Sequence, residues 1–293
     1  MRFDEAYSGN VFMASSDNYH EAQAVIFGMP MDSTASFRPG SRFGPRRIRE
    51  VSVGLEEYSP YLNRELNEIK YFDAGDIPLP FGNPEKSIKM ISDYVSRLLT
   101  DNKFTLGLGG EHLVTWPIVR EVYKKYPDLV LLHFDAHADL RTDYEGEALS
   151  HATPIRKIVE LIGGENVYQF GVRSGLKEEF IFAKENLHFY PFEVLQPLKK
   201  VMSEIKDRPI YLTIDIDVLD PAFAPGTGTL ESGGITSQEL LSAIHEIAKY
   251  RAYVVGTDIV EVAPVYDSAD QTAIIASKLV REILLGFNLK DEK

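Results

Sequence analysis

LLHFDAHADL, residues 131–140, changes character halfway along. The apolar run Leu129-Val130-Leu131-Leu132 that leads into it suits a strand buried on both faces. It gives way to Asp135-Ala136-His137-Ala138-Asp139. In an extended chain residues i, i+2 and i+4 point to one side. Asp135, His137 and Asp139 therefore converge, with small alanines between them. Two carboxylates and an imidazole grouped just past a buried strand are costly without compensation. A divalent metal is the simplest compensation.

Two more stretches repeat the pattern. Ile210-Tyr211-Leu212-Thr213-Ile214 reads as a buried strand and runs into Asp215-Ile216-Asp217, again i and i+2. Gly109-Gly110-Glu111-His112 follows the apolar run 104–108. Ligands of α/β sheets bind at the carboxyl ends of strands, and all three stretches lie at such ends. Together they offer His112, Asp135, His137, Asp139, Asp215 and Asp217. Four carboxylates in one cleft repel, and two dications neutralise them, so a two-metal site is expected. The oxygen-rich set with two imidazoles and no thiolate suits Mn²⁺, with Co²⁺ or Zn²⁺ as substitutes. Each piece alone has a plainer reading. His112 could be a core histidine, and Asp215 or Asp217 a cap or turn residue beside Asp220-Pro221.

In combination, Gly-Gly-Glu-His, Asp-Ala-His-x-Asp and Asp-Ile-Asp-Val-Leu-Asp-Pro resemble the signatures of the ureohydrolase superfamily of arginases, agmatinases and their relatives. Asp258-Ile-Val-Glu261-Val-Ala-Pro264 looks like a fourth. The resemblance covers nearly the whole chain and leans toward bacterial agmatinases. One departure is Ala138, where many members carry Thr.

The resemblance implies one metal on His112, Asp135, Asp139 and Asp215, and a second on Asp135, His137, Asp215 and Asp217. Asp135 and Asp215 would bridge, and a hydroxide between the metals would attack a guanidinium carbon. Glu261 is then the catalytic, substrate-binding carboxylate that grips the guanidinium, and His151 the catalytic, substrate-facing proton shuttle for the departing amine. Each has an alternative: Glu261 a buried partner of Arg281, His151 an exposed loop histidine. Asp258 is expected to support the site from behind. The implied reaction is hydrolysis of agmatine to putrescine and urea, a step of polyamine biosynthesis. Asp143, Glu145 and Glu147, against only Arg141, make an acidic rim that would suit a distal ammonium, with Asp143 the candidate substrate contact. Hydrolysis of guanidinobutyrate or arginine is the alternative within the class. A one-zinc deacetylase and a non-catalytic binding protein are more distant ones. A homotrimer or homohexamer is also implied.

The rest of the chain agrees. It has 293 residues, 44% hydrophobic, with 44 acids against 31 bases. A net charge of -13 disfavours nucleic acid and anionic membranes as partners. There is no cysteine. The opening Met1-Arg2-Phe3-Asp4-Glu5 lacks a signal-peptide pattern, and no apolar run approaches spanning length, so a cytoplasmic protein is expected.

Residues 1–20 read as a polar arm. From there strand and helix patterns alternate, about eight of each. That predicts one domain, 1–293, with a mostly parallel central sheet between helical layers, and the resemblance implies the same α/β/α fold. Pro45 is expected to open a helix reaching about Tyr58. The loop 36–49, SFRPGSRFGPRRIR, resembles a family loop near the site, or is a basic loop packed on acidic neighbours through Arg38 and Arg42.

Overall fold

The computed structural model describes residues 11–205 and 207–287. The strands, in chain order, are β1 (Ala24–Met29), β2 (Tyr58–Ser59), β3 (Arg64–Glu65), β4 (Tyr71–Asp76), β5 (Phe104–Gly109), β6 (Val130–Phe134), β7 (Val167–Phe170), β8 (His188–Tyr190), β9 (Ile210–Asp215) and β10 (Val254–Val260). The helices are α1 (Gly44–Ser52), α2 (Pro84–Thr100), α3 (Thr115–Lys125), α4 (Pro154–Ile162), α5 (Lys177–Asn186), α6 (Leu195–Glu204), α7 (Ser237–Ala248) and α8 (Gln271–Phe287).

Eight strands form one sheet in the order β4-β1-β5-β10-β9-β6-β7-β8. Every pairing in it is parallel. β2 and β3 make a separate antiparallel hairpin. The expected helix from Pro45 therefore ends at Ser52 rather than Tyr58, because Tyr58 is drawn into that hairpin.

Alternation along the strands splits the core in two. Val130, Leu132 and Phe134 belong to one apolar layer and Leu131 to the other. The first layer is closed by α1, α6, α7 and α8, the second by α2 to α5. Helix starts follow local chemistry. Thr236 Oγ1 accepts from the Glu239 N–H at 3.2 Å while Glu239 reaches back to Thr236, opening α7. Of the expected arm, residues 1–10 lie outside the described residues. In the remainder, buried Phe12 donates its N–H to Asp73 Oδ2 at 2.7 Å, docking it on β4.

The register positions the site. Ile259 is level with Leu108, Val260 with Asp215, and Phe134 with Ile214. The carboxyl ends of the four central strands, β5, β10, β9 and β6, thus finish in one row. The chain skips from β5 to β6 and returns later to fill the gap with β9 and β10. That is a topological switch point, where such sheets bind ligands.

Candidate metal centre

His112, in the turn after β5, is buried, and its Nδ1 points at three carboxylates. Asp135 Oδ2 lies at 3.0 Å, Asp139 Oδ2 at 3.1 Å and Asp215 Oδ2 at 3.4 Å. None makes a properly directed hydrogen bond, so Nδ1 is a buried polar atom without a partner. A lone pair aimed among three anionic oxygens is the donor geometry of a cation site.

The other nitrogen explains why Nδ1 is free to act. His112 Nε2 lies 3.0 Å from Thr213 Oγ1, and Thr213 donates to Asp258 Oδ1 at 2.6 Å. Tyr211 donates to the other oxygen of Asp258 at 2.7 Å. A hydroxyl already donating to a carboxylate can only accept, so in the neutral ring Nε2 carries the proton and Nδ1 the lone pair.

Asp135 joins this cluster to a second. Its Oδ1 accepts from the His137 N–H at 2.5 Å and lies 3.5 Å from His137 Nδ1, which is 3.0 Å from Asp217 Oδ2. Asp217 also accepts from the Ala136 N–H at 3.1 Å. Asp135, His137 and Asp217 offer ligand atoms within 4.8 Å of one another, as do His112, His133 and Asp135. His133 was not among the expected residues. Its Nε2 donates to Asp135 Oδ2 at 2.8 Å and its Nδ1 accepts from Gln169 at 3.0 Å. With both nitrogens engaged, His133 braces Asp135 and leaves no lone pair for an ion. Its signal was present: it lies at i−2 from Asp135, one step further back on the alternating face.

The charges fit a cation pair. Burial, then Asp217 and Asp135, push the Asp215 carboxyl well above its ordinary value. Burial also raises Asp217. Burial opposes ionisation of Asp135 as well, but His112, His133 and His137 outweigh it while His112 and His137 carry the extra proton, which these carboxylates favour, and hold that carboxyl well below the usual range; a cation would take that proton's place on His112 Nδ1. Carboxyls driven apart in this way are a group short of positive charge. The donor set, buried carboxylates with two imidazoles, suits hard or borderline divalent ions.

Over the cluster opens a cavity of about 280 Å³, reached by His137, Asp139, Asp215, His151 and Glu261. Glu261 does not pair with Arg281, which binds Glu282 instead. Its Oε1 accepts from the His112 N–H at 2.8 Å and lies 3.8 Å from His151 Nδ1, too far for a hydrogen bond. His151 is not an exposed loop residue, since only 13% of its side chain meets solvent. Burial opposes charge on it, but Glu261 outweighs burial and raises its pKa. Glu111, beneath His151, is pushed up to about 7, chiefly by burial. Asp139 and Glu261 both have left-handed backbone, with φ of 52° and 62°. Each such strain costs roughly 1–3 kcal/mol and is typical of functional positions.

Asp143 is not brought to the cavity. It is exposed, and its Oδ1 accepts from the Gly146 N–H at 3.0 Å in a surface turn. Tyr144 and Arg141 line the wall in its place, with Ala138 and Glu179. Arg42 pairs with Asp32, and Arg38 stacks 3.8 Å over the Tyr266 ring, so both pack locally.

The profile described as "Arginase family" matches residues 22–286. The agmatinase of Bacillus subtilis (strain 168) is 66% identical over 288 residues, covering 98% of this chain and 99% of that protein. The guanidinobutyrase of Pseudomonas aeruginosa is 34% identical, covering 89% of this chain and 85% of its own length. The crystal structure of agmatine ureohydrolase from Thermoplasma volcanium superposes with a TM-score of 0.87 at 31% identity, over 96% of this chain and 94% of that one. Fold, site and sequence coincide over nearly the full length, and the chain belongs to the arginase family, within the ureohydrolase superfamily.

Proposed function

We propose that the protein is an agmatinase that hydrolyses agmatine to putrescine and urea, working as one domain. The observation that carries this reading is the pair of clusters joined through Asp135, open to a cavity walled by Glu261 and His151. One cation is assigned to His112, Asp135, Asp139 and Asp215, and another to Asp135, His137, Asp215 and Asp217. Mn²⁺ is the assigned metal. When bound, such a pair supplies a water acidic enough to attack at neutral pH.

The chain's own residues do the rest. The Glu261 carboxylate faces the cavity and can accept paired hydrogen bonds from a planar guanidinium. That fixes the guanidinium carbon over the cluster and offsets its charge. Hydrolysis adds water across the bond between that carbon and the alkylated nitrogen. His151, with Nδ1 turned inward, gives the departing amine its proton, and urea remains. Beyond the assigned ligands and Glu261, the wall holds one acid, Glu179, and Arg141 is engaged by it, at 3.7 Å, and by the Tyr144 ring, at 4.8 Å. A dication is therefore favoured over a substrate bearing a carboxylate. A cytoplasmic homotrimer or homohexamer is the assembly we assign; among the described residues no helix is long and apolar enough to cross a membrane.

A second reading has one observation in its favour. Arg141 lines the cavity and could bind the carboxylate of guanidinobutyrate. Urea release from agmatine, guanidinobutyrate and arginine separates the two, using chelator-stripped protein with and without Mn²⁺. Mn²⁺-dependent release that is fastest from agmatine is expected. Faster release from guanidinobutyrate transfers the assignment, and release without added metal removes the metal centre from the mechanism.

A further inference from the structure

His151 is gripped by the loop that follows β1, at the wall of the cavity. The Ser36 N–H donates to His151 Nε2 at 3.2 Å, and Ser36 Oγ lies 2.7 Å from the same nitrogen. Two residues earlier, Thr34 Oγ1 accepts from the His151 backbone N–H at 2.9 Å. Thr34 is itself held. Its hydroxyl donates to Glu111 Oε1 and its N–H to Glu111 Oε2, both at 2.8 Å. Glu111 is buried and directly precedes His112. The loop is in reach because β1 pairs with β5, bringing Met29 level with Gly109.

We propose that Ser36 and Thr34 are positioning residues for His151, Ser36 selecting the ring nitrogen that faces the cavity and Thr34 fixing the backbone that carries the ring. The proposal rests on the reading of His151 as proton donor. A backbone N–H can only donate, so Nε2 must present its lone pair while the ring is neutral. The proton is then on Nδ1, the nitrogen turned toward Glu261. Free histidine prefers the opposite tautomer, so the arrangement is imposed by Ser36. The hydroxyl has a second task. When His151 is charged, Nε2–H needs an acceptor, and the backbone N–H beside it cannot serve. Ser36 Oγ can turn from donor to acceptor at the same place, so the ring can change charge without moving. Ser36 is exposed and lines the cavity, whereas Thr34 ties the brace to the turn that presents His112.

The test combines kinetics with ring ¹⁵N NMR of histidine-labelled protein, loaded with diamagnetic Zn²⁺ and assigned with His151→Asn. Above the pH at which the His151 ring loses its charge, the wild-type ring should be the Nδ1–H tautomer. Ser36→Ala should lower kcat roughly tenfold with KM inside about twofold, because chemistry and not binding is disturbed. Ser36→Thr, which keeps the hydroxyl, should restore most of kcat. Thr34→Val, of the same shape, should also lower kcat selectively. A resting Nε2–H tautomer, or wild-type kcat in Ser36→Ala, would overturn the proposal. His151→Asn tells the two failures apart. If it keeps wild-type turnover, the reading of His151 falls and this inference with it. If it loses turnover and Ser36→Ala does not, only the inference falls.

Discussion

His112 Nε2 and Thr213 Oγ1 lie 3.0 Å apart, and that contact decides which face of the imidazole looks at the cluster. Thr213 accepts there because it donates to Asp258. Thr213→Val keeps the shape and removes the acceptor. Metal affinity should fall by roughly 10–100-fold, with the fold intact by circular dichroism. Calorimetric titration of stripped protein checks it; unchanged affinity would mean that the relay beneath His112 is only packing.

Asp135 is shared by both clusters, so its loss should be felt twice. Asp135→Asn should bind less than the full pair of ions and release urea roughly a thousandfold more slowly. Removing metal from the unmutated protein should lower the thermal midpoint. At a free metal concentration of about 100 Kd the lost stabilisation is about 2.7 kcal/mol for each ion. Scanning calorimetry with and without chelator measures it.

Glu261→Gln keeps an oxygen for the His112 N–H and loses the charge facing the guanidinium. A hydrogen bond to a charged group contributes about 1.5–3 kcal/mol, so kcat/KM for agmatine should drop by roughly 10–150-fold. Steady-state kinetics with agmatine decide; an unaltered kcat/KM would remove Glu261 from substrate binding.

Asp143 is exposed in a turn away from the cavity wall. Asp143→Asn should leave kcat/KM for agmatine within about twofold, the scale of an exposed charge. A larger loss would mean that the 141–147 loop folds over the substrate.

Far from the site, Glu282 on α8 accepts from His245 at 2.9 Å, Ser59 at 2.7 Å and Arg281 at 2.6 Å. Burial opposes its charge, but these partners outweigh it and hold the carboxyl at about 2, against an ordinary value of 4.5. A depressed pKa stabilises the fold above the unfolded value and loses that effect as pH falls through the folded one. The window is therefore pH 4.5 down to about 2. Glu282→Gln should destabilise by about 2–3 kcal/mol at pH 7, with His245 partly open to water. The gap to wild type should close toward pH 2 in denaturant titrations; a constant gap would exclude ionisation as its cause.

The sheet and its contents were legible because two periods repeat without interruption in this chain. Apolar runs end at Leu108, Leu132 and Ile214, and polar residues follow within a few positions, alternating after Leu132 and after Ile214. His133 escaped because it stands singly between Leu132 and Phe134, where one polar residue reads as part of the strand. Asp143 misled because nearness to Asp139 in sequence says nothing about where a loop points, and Gly146 turns it outward. The hairpin of Tyr58 and Glu65 has two residues per strand, too short to show a period. Ser36 and Thr34 could not be found by spacing at all. Their partner His151 is more than a hundred residues away, and only the pairing of β1 with β5 brings them together.

The order of strands has a consequence for the newborn chain. After β8 has been made, β5 and β6 still stand apart, because the strands that fill the space between them, β9 and β10, are among the last to be synthesised. Two strand edges then wait unpaired until β10 is finished, about seventy residues later, which takes several seconds at ordinary rates of synthesis. Such edges invite pairing with other chains. The gap later becomes the reaction centre, so the same design that unites distant residues leaves the unfinished protein dependent on protection until its final strand is in place.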